Sequence, residues 1–440
     1  MRIELPWGET PLSLDLPDTW EVILPETGGA PSKPADDEAT VVYNALHRPI
    51  AADPLAGRKL AGKKIVIIVD DNTRPTPVAR FFHLVLESLV SAGAEPGNML
   101  IIPALGIHTP MSEAEIAEKI GAANLAGLAW ENHRAFDAEA NVFMGTTNRG
   151  TPVYLNHHLR DADFIVLIGL IEPHLMAGFG GGMKNILPGV ASAETIGKHH
   201  EILTEPPYQA NRVGLPPEQN AFRRDLEECR RLIPADIFCI NVALDHDGTV
   251  IACFAGDPVA AHREGIRFIQ HRAGLKMNNQ VDGIIVNAHP MDINFKQSMK
   301  CVGNALPVLK PGGTVMGFLR AEKGLDDIPM PKKAPLPLPV VKKILRLIGP
   351  SRVYAFLNMT RKGLNTEERF LYYYTMQLIR QYEVLLFVPS LTAEIVKALF
   401  FFEGFTDTPR DVITAGIKRL GPRARVAVFP EGGATFSILE

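Results

Sequence analysis

Lys64-Ile65-Val66-Ile67-Ile68-Val69 is the stretch whose reading settles the fold. A run this rich in β-branched residues, without polar alternation, reads as a strand buried on both faces. Working outward, Val78 to Ser91 carries helical periodicity and Met99 to Ala104 is apolar again. Strand, helix and strand in that order predict a parallel sheet covered by helices. Phe164 to Leu170 and Val281 to Asn287 are further apolar runs that end in polar loops. The expected class is therefore α/β, with two α/β domains, mainly parallel sheets, and a cofactor and substrate cleft between them.

The chain of 440 residues exceeds one ordinary core, and 46% hydrophobic content suffices to bury two. Met277-Asn278-Asn279-Gln280 interrupts the pattern after a helix predicted over Val259 to Gly274, so the domains are expected to be 1–274 and 275–421. The last strand, Arg425 to Phe429 within 422–440, is free to return to either domain. Short strands are expected at Arg2 to Leu5, Leu12 to Leu16 and Glu21 to Leu24, before a Pro/Gly/Asp-rich segment from Pro25 to Glu38. Phe238 to Ala243 and Thr249 to Phe254 read as a hairpin around Asp245 to Gly248. Helices are expected at Ala193 to Leu203, Glu218 to Leu232, Leu338 to Ile348, Tyr354 to Arg361, Thr366 to Tyr382, Ala393 to Phe401 and Asp411 to Leu420.

A net charge of −4, with basic residues only in short pairs such as Lys332-Lys333, offers nothing to a phosphate backbone, so no nucleic acid is expected. Four widely spaced cysteines without C-x-x-C indicate neither a disulfide framework nor a thiolate zinc site. The first residues lack an apolar signal region, and no apolar run reaches membrane-spanning length. A cytoplasmic protein without a membrane partner is the expectation.

Polar residues gather where strands end, which is where open α/β sheets bind ligands. After the first strand come Asp71, Thr73 and Arg74, an arginine suited to gripping a carboxylate or phosphate. The plainer alternative is a capped helix start with Arg74 in a structural ion pair. His108 follows the second strand, just before Ser112 and Glu115, a capping box. The third strand leads into His174 and then Gly178-Phe179-Gly180-Gly181-Gly182-Met183-Lys184. Glycines there strip the backbone of Cβ atoms, so that something large is expected to lie against the main chain before a lysine. Lys184 is either a point charge for an anion or an amine open to acylation, and His174 adds a titratable group. His199 and His200 are adjacent on a predicted helix, about 100° apart, so at most one serves a given metal. In the second domain Lys296, Gln297 and Lys300 cluster where a strand gives way to a helix, as an anion site or a solvated face.

Together, Asp71-x-Thr73-Arg74-Pro75, Gly106-x-His108-x-Pro110, His174 with Ala177-Gly178-Phe179-x-Gly181-Gly182-x-Lys184-x-Ile186-x-Pro188-Gly189, His200, and Gln297-x-x-Lys300 resemble the nickel-dependent lactate racemase family. The resemblance spans most of the chain in the family's order. It implies a nickel pincer nucleotide tethered to Lys184, with His200 completing the coordination of Ni2+. It implies that His108 and His174 are the acid/base pair of a 2-hydroxy acid racemase or epimerase. It further implies that Arg74, Gln297 and Lys300 hold the substrate, that Asp71 and Thr73 organise their loop and contact the cofactor with Gly181 and Gly182, and that separate cofactor-synthesis enzymes mature the protein. One residue departs from the pattern. The family's lactate enzymes place a tyrosine before the glutamine, and here Lys296 stands there, an extra cation that favours a longer or more acidic substrate than lactate or else points away.

Rival readings come from other classes. A zinc hydrolase would use three histidines, but H-E-x-x-H is absent. A nicotinamide dehydrogenase would need a third loop glycine where Met183 stands. A non-catalytic or regulatory protein on the same fold is a third alternative, and a homodimer is compatible with all of these.

Overall fold

The structure is a computed structural model that describes residues 1–24, 36–205, 213–245, 247–325, 336–349, 352, 355, 356, 359, 360, 366–399 and 402–440. It divides into two compact units. One comprises Ala30–Ile202 and Pro216–Gln270, the other Met1–Gly29, Leu203–Leu215 and His271–Glu440.

In the first of these, Ile65–Asp70 is buried at all six positions and lies inside a six-stranded sheet. Its neighbours are Met99–Ala104 on one side and Phe164–Leu170 on the other, both parallel to it. Beyond Phe164–Leu170 lie Asp236–Leu244 and then Val250–Gly256, which closes the sheet as the expected antiparallel hairpin. Ala129–Trp130 forms the other edge. Ile65, Ile67 and Val69 pack on one face with Phe81, Phe82, Val85 and Leu89 of the helix Val78–Ser91, and Val66 and Ile68 are buried on the other. Burial on both faces is why the strand shows no alternation.

The other unit holds a six-stranded, all-parallel sheet in the order Glu403–Phe405, Glu383–Phe387, Leu309–Phe318, Val281–Asn287, Arg425–Phe429 and Glu21–Ile23. Here period-two alternation divides the core, with Ile284 and Val286 facing one layer and Ile285, Met316 and Val428 the other.

One change of unit comes at His271, and the N-terminal strands do not belong with the sequence that follows them. Arg2–Leu5 and Leu12–Asp15 pair with each other, bury Ile3, Leu5 and Leu14, and join the core of the unit that also holds 271–440. Glu21–Ile23 pairs with Arg425–Phe429, which therefore returns to that unit and not to the other. Trp20 Nε1 donates to the Gly421 carbonyl at 3.0 Å and fixes the junction. A final strand, Phe436–Leu439, pairs with Gly274–Met277.

The helices expected at Ala193, Leu338, Thr366, Ala393 and Asp411 are present as Ala193–His200, Leu338–Ile348, Thr366–Gln381, Ala393–Ala398 and Pro409–Leu420. The expected helix from Glu218 shrinks to Ala221–Glu228 between two 3-10 turns. Half of Tyr354 to Arg361 and most of Pro25 to Glu38 lie outside the described residues. Among the described residues, no helix is long and apolar enough to cross a membrane.

Candidate active site

The first unit's chain steps from Ile65–Asp70 to Met99–Ala104 on one side and only later places Phe164–Leu170 on the other. The loops leaving two adjacent strand ends therefore diverge there, opening the crevice in which such sheets bind ligands. Asp70 and Leu170 are the strand ends at that point.

The loop after Asp70 is pinned from below. Lys119 is buried, lies 2.8 Å from the Asp70 carboxylate, and donates to the carbonyls of Asp71 at 3.1 Å and Arg74 at 3.0 Å. Burial raises the pKa of Asp70, against the pull of Lys119. Asp71 is also buried, and each of its oxygens is used. Oδ1 accepts from the Thr73 amide at 3.1 Å and from the Thr73 hydroxyl, while Oδ2 lies 2.6 Å from His108 Nδ1. Burial works to raise the Asp71 pKa, but the hydrogen bonds from His108 and Thr73 outweigh it and hold the carboxyl below its ordinary range. Two strand ends are thus joined by one aspartate. The helix that follows takes neither Asp71 nor Thr73 as its cap; Pro77 stands there. Beyond His108, Ser112 and Glu115 do form the expected capping box.

Arg74 pairs with Glu172 at 2.9 Å, so the ion pair weighed as the plainer reading is present. Glu172 also accepts, through its carbonyl, from the Gly180 amide at 2.8 Å. His174 and Gly178 face each other in a two-residue ribbon, and His174 Nδ1 accepts from the amides of Met176 and Ala177 at 3.3 and 3.2 Å.

On the side where a Cβ would stand, protein atoms lie against Gly181 and Gly182. A Cβ on Gly181 would sit 2.7 Å from Asn241 Oδ1 and 3.0 Å from the Leu170 carbonyl, and one on Gly182 would meet His262 at 3.0 Å. Arg223, fully buried, donates to the carbonyls of Ala177, Phe179 and Gly181. His262 Nε2 donates to the Gly180 carbonyl at 2.7 Å, and Asn241 accepts from the Gly182 amide at 2.8 Å. Three buried polar side chains therefore hold successive peptides of the loop from behind. Gly181→Ala, at φ +73°, is expected to cost at least about 1–2 kcal/mol from its backbone conformation alone. It should also push Asn241 away from the Gly182 amide. Chemical unfolding, read together with the reactivity of the Lys184 amine, measures both effects; an unchanged midpoint would contradict this account.

Lys184 rides on the 3-10 turn Gly182–Asn185 that this clamp presents. It keeps part of its surface, yet protein atoms crowd its ammonium, and burial followed by the charges of Arg74 and Arg223 brings its pKa down to about 7, against Glu172 and Asp71. His200 is buried, with Nδ1 2.7 Å from the Ile196 carbonyl, so Nδ1 carries the proton and Nε2 the lone pair. Burial, with His199 and Lys184 adding to it, pushes His200 down to about 3. His199 is turned away, its ring at 87° to that of His200 and its Nδ1 bonded to Asp225, which also accepts from Thr147 and Thr151. The Asp225 bond gives His199 a structural role.

Residues 7–211 match the lactate racemase N-terminal domain. The lactate racemase of Thermoanaerobacterium thermosaccharolyticum is 31% identical over 321 residues, 72% of this chain and 73% of that protein. The chain belongs to the lactate racemase family. The lactate racemase of Lactiplantibacillus plantarum is also 31% identical, over 65% of this chain and 67% of its own length. The solved lactate racemase apoprotein from T. thermosaccharolyticum shares the fold at a TM-score of 0.79, with 24% identity and full coverage of both chains. A protein of Thermotoga maritima shares it at 0.56, with 19% identity over 86% of this chain and 94% of its own.

Within the lactate racemase family match fall Asp71, Thr73, Arg74, His108, His174, Gly181, Gly182, Lys184 and His200, all in one unit. Lys296, Gln297 and Lys300 belong to the other unit, past the end of Val281–Asn287, where Asn294 caps the short helix Phe295–Ser298 and accepts from the Gln297 amide at 2.8 Å. Lys296 and Lys300 are exposed and Gln297 is half-buried.

Sequence reasoning missed Lys119, Glu172, Arg223, Asn241 and His262 as parts of the site. Arg223 and Lys119 lie on short charged helices, where nothing local distinguishes a buried cation from a solvated one. Among the described residues, no three His, Cys, Asp or Glu side chains are placed to hold a metal ion together. A zinc site built from protein ligands alone lacks its donor set there. A group that brings its own donors and needs one imidazole and one amine fits His200 and Lys184.

Proposed function

We propose that this chain racemises or epimerises a 2-hydroxy acid, using a nickel pincer nucleotide attached to Lys184. When bound, that group supplies the acceptor for hydride leaving the substrate Cα and returning to its other face. The observation that carries the reading is Lys184 itself, an amine with a pKa of about 7 on a clamped loop beside Arg74, Glu172 and Asp71. Far more of it is an uncharged nucleophile at neutral pH than of an ordinary lysine, as attachment requires. His200, with its lone pair at Nε2, would complete the metal's ligands.

The protein's own part is binding and proton handling. Arg74 would take the substrate carboxylate, sharing or exchanging its Glu172 partner. His108, ordered by Asp71, and His174 would handle the hydroxyl proton, while Thr73 holds Asp71 in place. Gly181 and Gly182 set the position of the loop, and Gln297 and Lys300 would bind the substrate oxygens. Lys296 favours an acid longer or more acidic than lactate.

Co-expression with a complete cofactor-synthesis pathway, followed by intact mass, nickel content and a chiral screen of 2-hydroxy acids, tests this. The expected result is an adduct mapping to Lys184, stoichiometric nickel, and better turnover of a substrate other than lactate. No adduct, with an active control loaded in the same cells, would sink the cofactor assignment. A Lys296→Tyr variant with unchanged substrate preference would sink the role of Lys296.

A further inference from the structure

We propose that the chain, before any cofactor is attached, binds 2-oxo acids covalently, as an imine between the Lys184 amine and the keto carbon, with Arg74 holding the carboxylate. This rests on the reading of Lys184 as the attachment amine and of Arg74 as the carboxylate site, and gives both a second ligand.

Three features of the loop carry the proposal. Lys184 sits on the 3-10 turn Gly182–Asn185, and Arg223, Asn241 and His262 fix the peptides that lead into it, so the amine springs from a rigid support. Two cations act on that amine, Arg74 more strongly than Arg223. Arg223 is fully buried and spent on loop carbonyls, whereas Arg74 keeps part of its surface and is the cation a solute can reach. Glu172 engages Arg74 through Nη1 at 2.9 Å, and a guanidinium carries five N–H groups in a fork that suits a carboxylate. Burial and the two cations bring the Lys184 pKa down to about 7, which keeps the amine nucleophilic where an ordinary lysine is an ammonium.

The chemistry balances without a redox partner. In a 2-oxo acid the keto carbon is bonded directly to the carboxylate carbon, so a carboxylate gripped by Arg74 brings that carbon into the neighbourhood of Lys184. The nitrogen lone pair attacks the keto carbon, both amine protons leave with the keto oxygen as water, and a C=N bond replaces the C=O bond. A 2-hydroxy acid has no carbonyl at that carbon and forms no such bond. The carboxylate also brings a negative charge to an amine under the influence of two cations, which favours an oxo acid over a neutral ketone. One amine cannot carry two groups. Oxo acid and cofactor therefore exclude each other, and loading of the chain slows as the oxo acid accumulates.

Borohydride trapping tests this on the full chain made without the cofactor pathway, at neutral pH, with pyruvate and with pyruvamide, which keeps the ketone and lacks the charge. Reduction of the imine leaves a secondary amine, heavier than the chain by the mass of the acid less one oxygen, and peptide mapping locates it. The expected adduct lies at Lys184 and forms about 10–100-fold faster than at surface lysines. It should fall about 10-fold or more with pyruvamide and in Arg74→Gln, and vanish in Lys184→Met. Pyruvate without borohydride should slow attachment of the cofactor by an extract holding the synthesis enzymes, and dilution should restore the rate. Adduct spread evenly over the surface lysines, or equal trapping of pyruvate and pyruvamide on the parent chain, overturns the proposal, and neither comparison depends on a variant folding. If pyruvate leaves no adduct at Lys184 while the cofactor still attaches there in cells, the imine is wrong and the cofactor assignment stands. If neither attaches, the reading of Lys184 as a reachable amine falls together with the imine.

Discussion

Lys184→Met is expected to give a protein that carries no adduct and turns over no substrate, yet unfolds later than the parent chain. The two effects share one cause. Burial and the neighbouring charges of Arg74 and Arg223 disfavour the ammonium, lowering the pKa of Lys184 from 10.5 to about 7. The unfolded chain therefore binds more protons than the folded one between about pH 7 and 10.5, so this residue's contribution to stability rises with pH across that window. At and below pH 7 its full penalty applies. Methionine fills a similar volume without the charge, and should stabilise the unit by about 1–3 kcal/mol near pH 7, the partial exposure of Lys184 already discounted. That gain should fade as pH rises toward 10.5. Chemical unfolding at pH 6.5 and 9.5 measures it, and acylation of the parent chain by an amine reagent should rise through pH 7 and not through 10. A methionine variant no more stable at the lower pH, or acylation typical of a surface lysine, would show that the loop does not perturb the amine.

Arg223→Met should be the most damaging substitution behind the site. The guanidinium satisfies three loop carbonyls, and its nearest acid, Glu227 at 3.9 Å, is engaged by Arg263 through two bonds of 2.8 and 2.7 Å. Burial lowers the pKa of Arg223 to about 10, so it remains a cation at neutral pH. Removing it takes a charged donor away from three buried loop carbonyls and is expected to cost about 3–5 kcal/mol. Arg223→Lys retains the charge but not the fork that reaches alternate peptides, and should recover less than half of that loss. Because Arg223 also depresses the Lys184 pKa, the methionine variant should form adduct more slowly at pH 7. An unfolding midpoint within error of the parent, or undiminished labelling of Lys184, would rule out the clamp.

The amino-acid sequence by itself determined the class of fold and where polar residues gather at the strand ends. Uninterrupted β-branched runs such as Ile65–Val69 belong only to strands buried on both faces, and the polar clusters at Asp71, His108 and His174 mark where such strands end. Both signals are local, carried by neighbours along the chain, and so both were legible. The tertiary structure alone decided which unit claims the first strands, because Glu21–Ile23 pairs with Arg425–Phe429, some four hundred residues away. It alone decided that Arg74 meets Glu172, that Asp71 reaches His108, and that Arg223, Asn241 and His262 converge behind the glycines. A buried arginine on a short charged helix has the same local sequence as an exposed one. What separates them is the set of carbonyls that folding brings within reach.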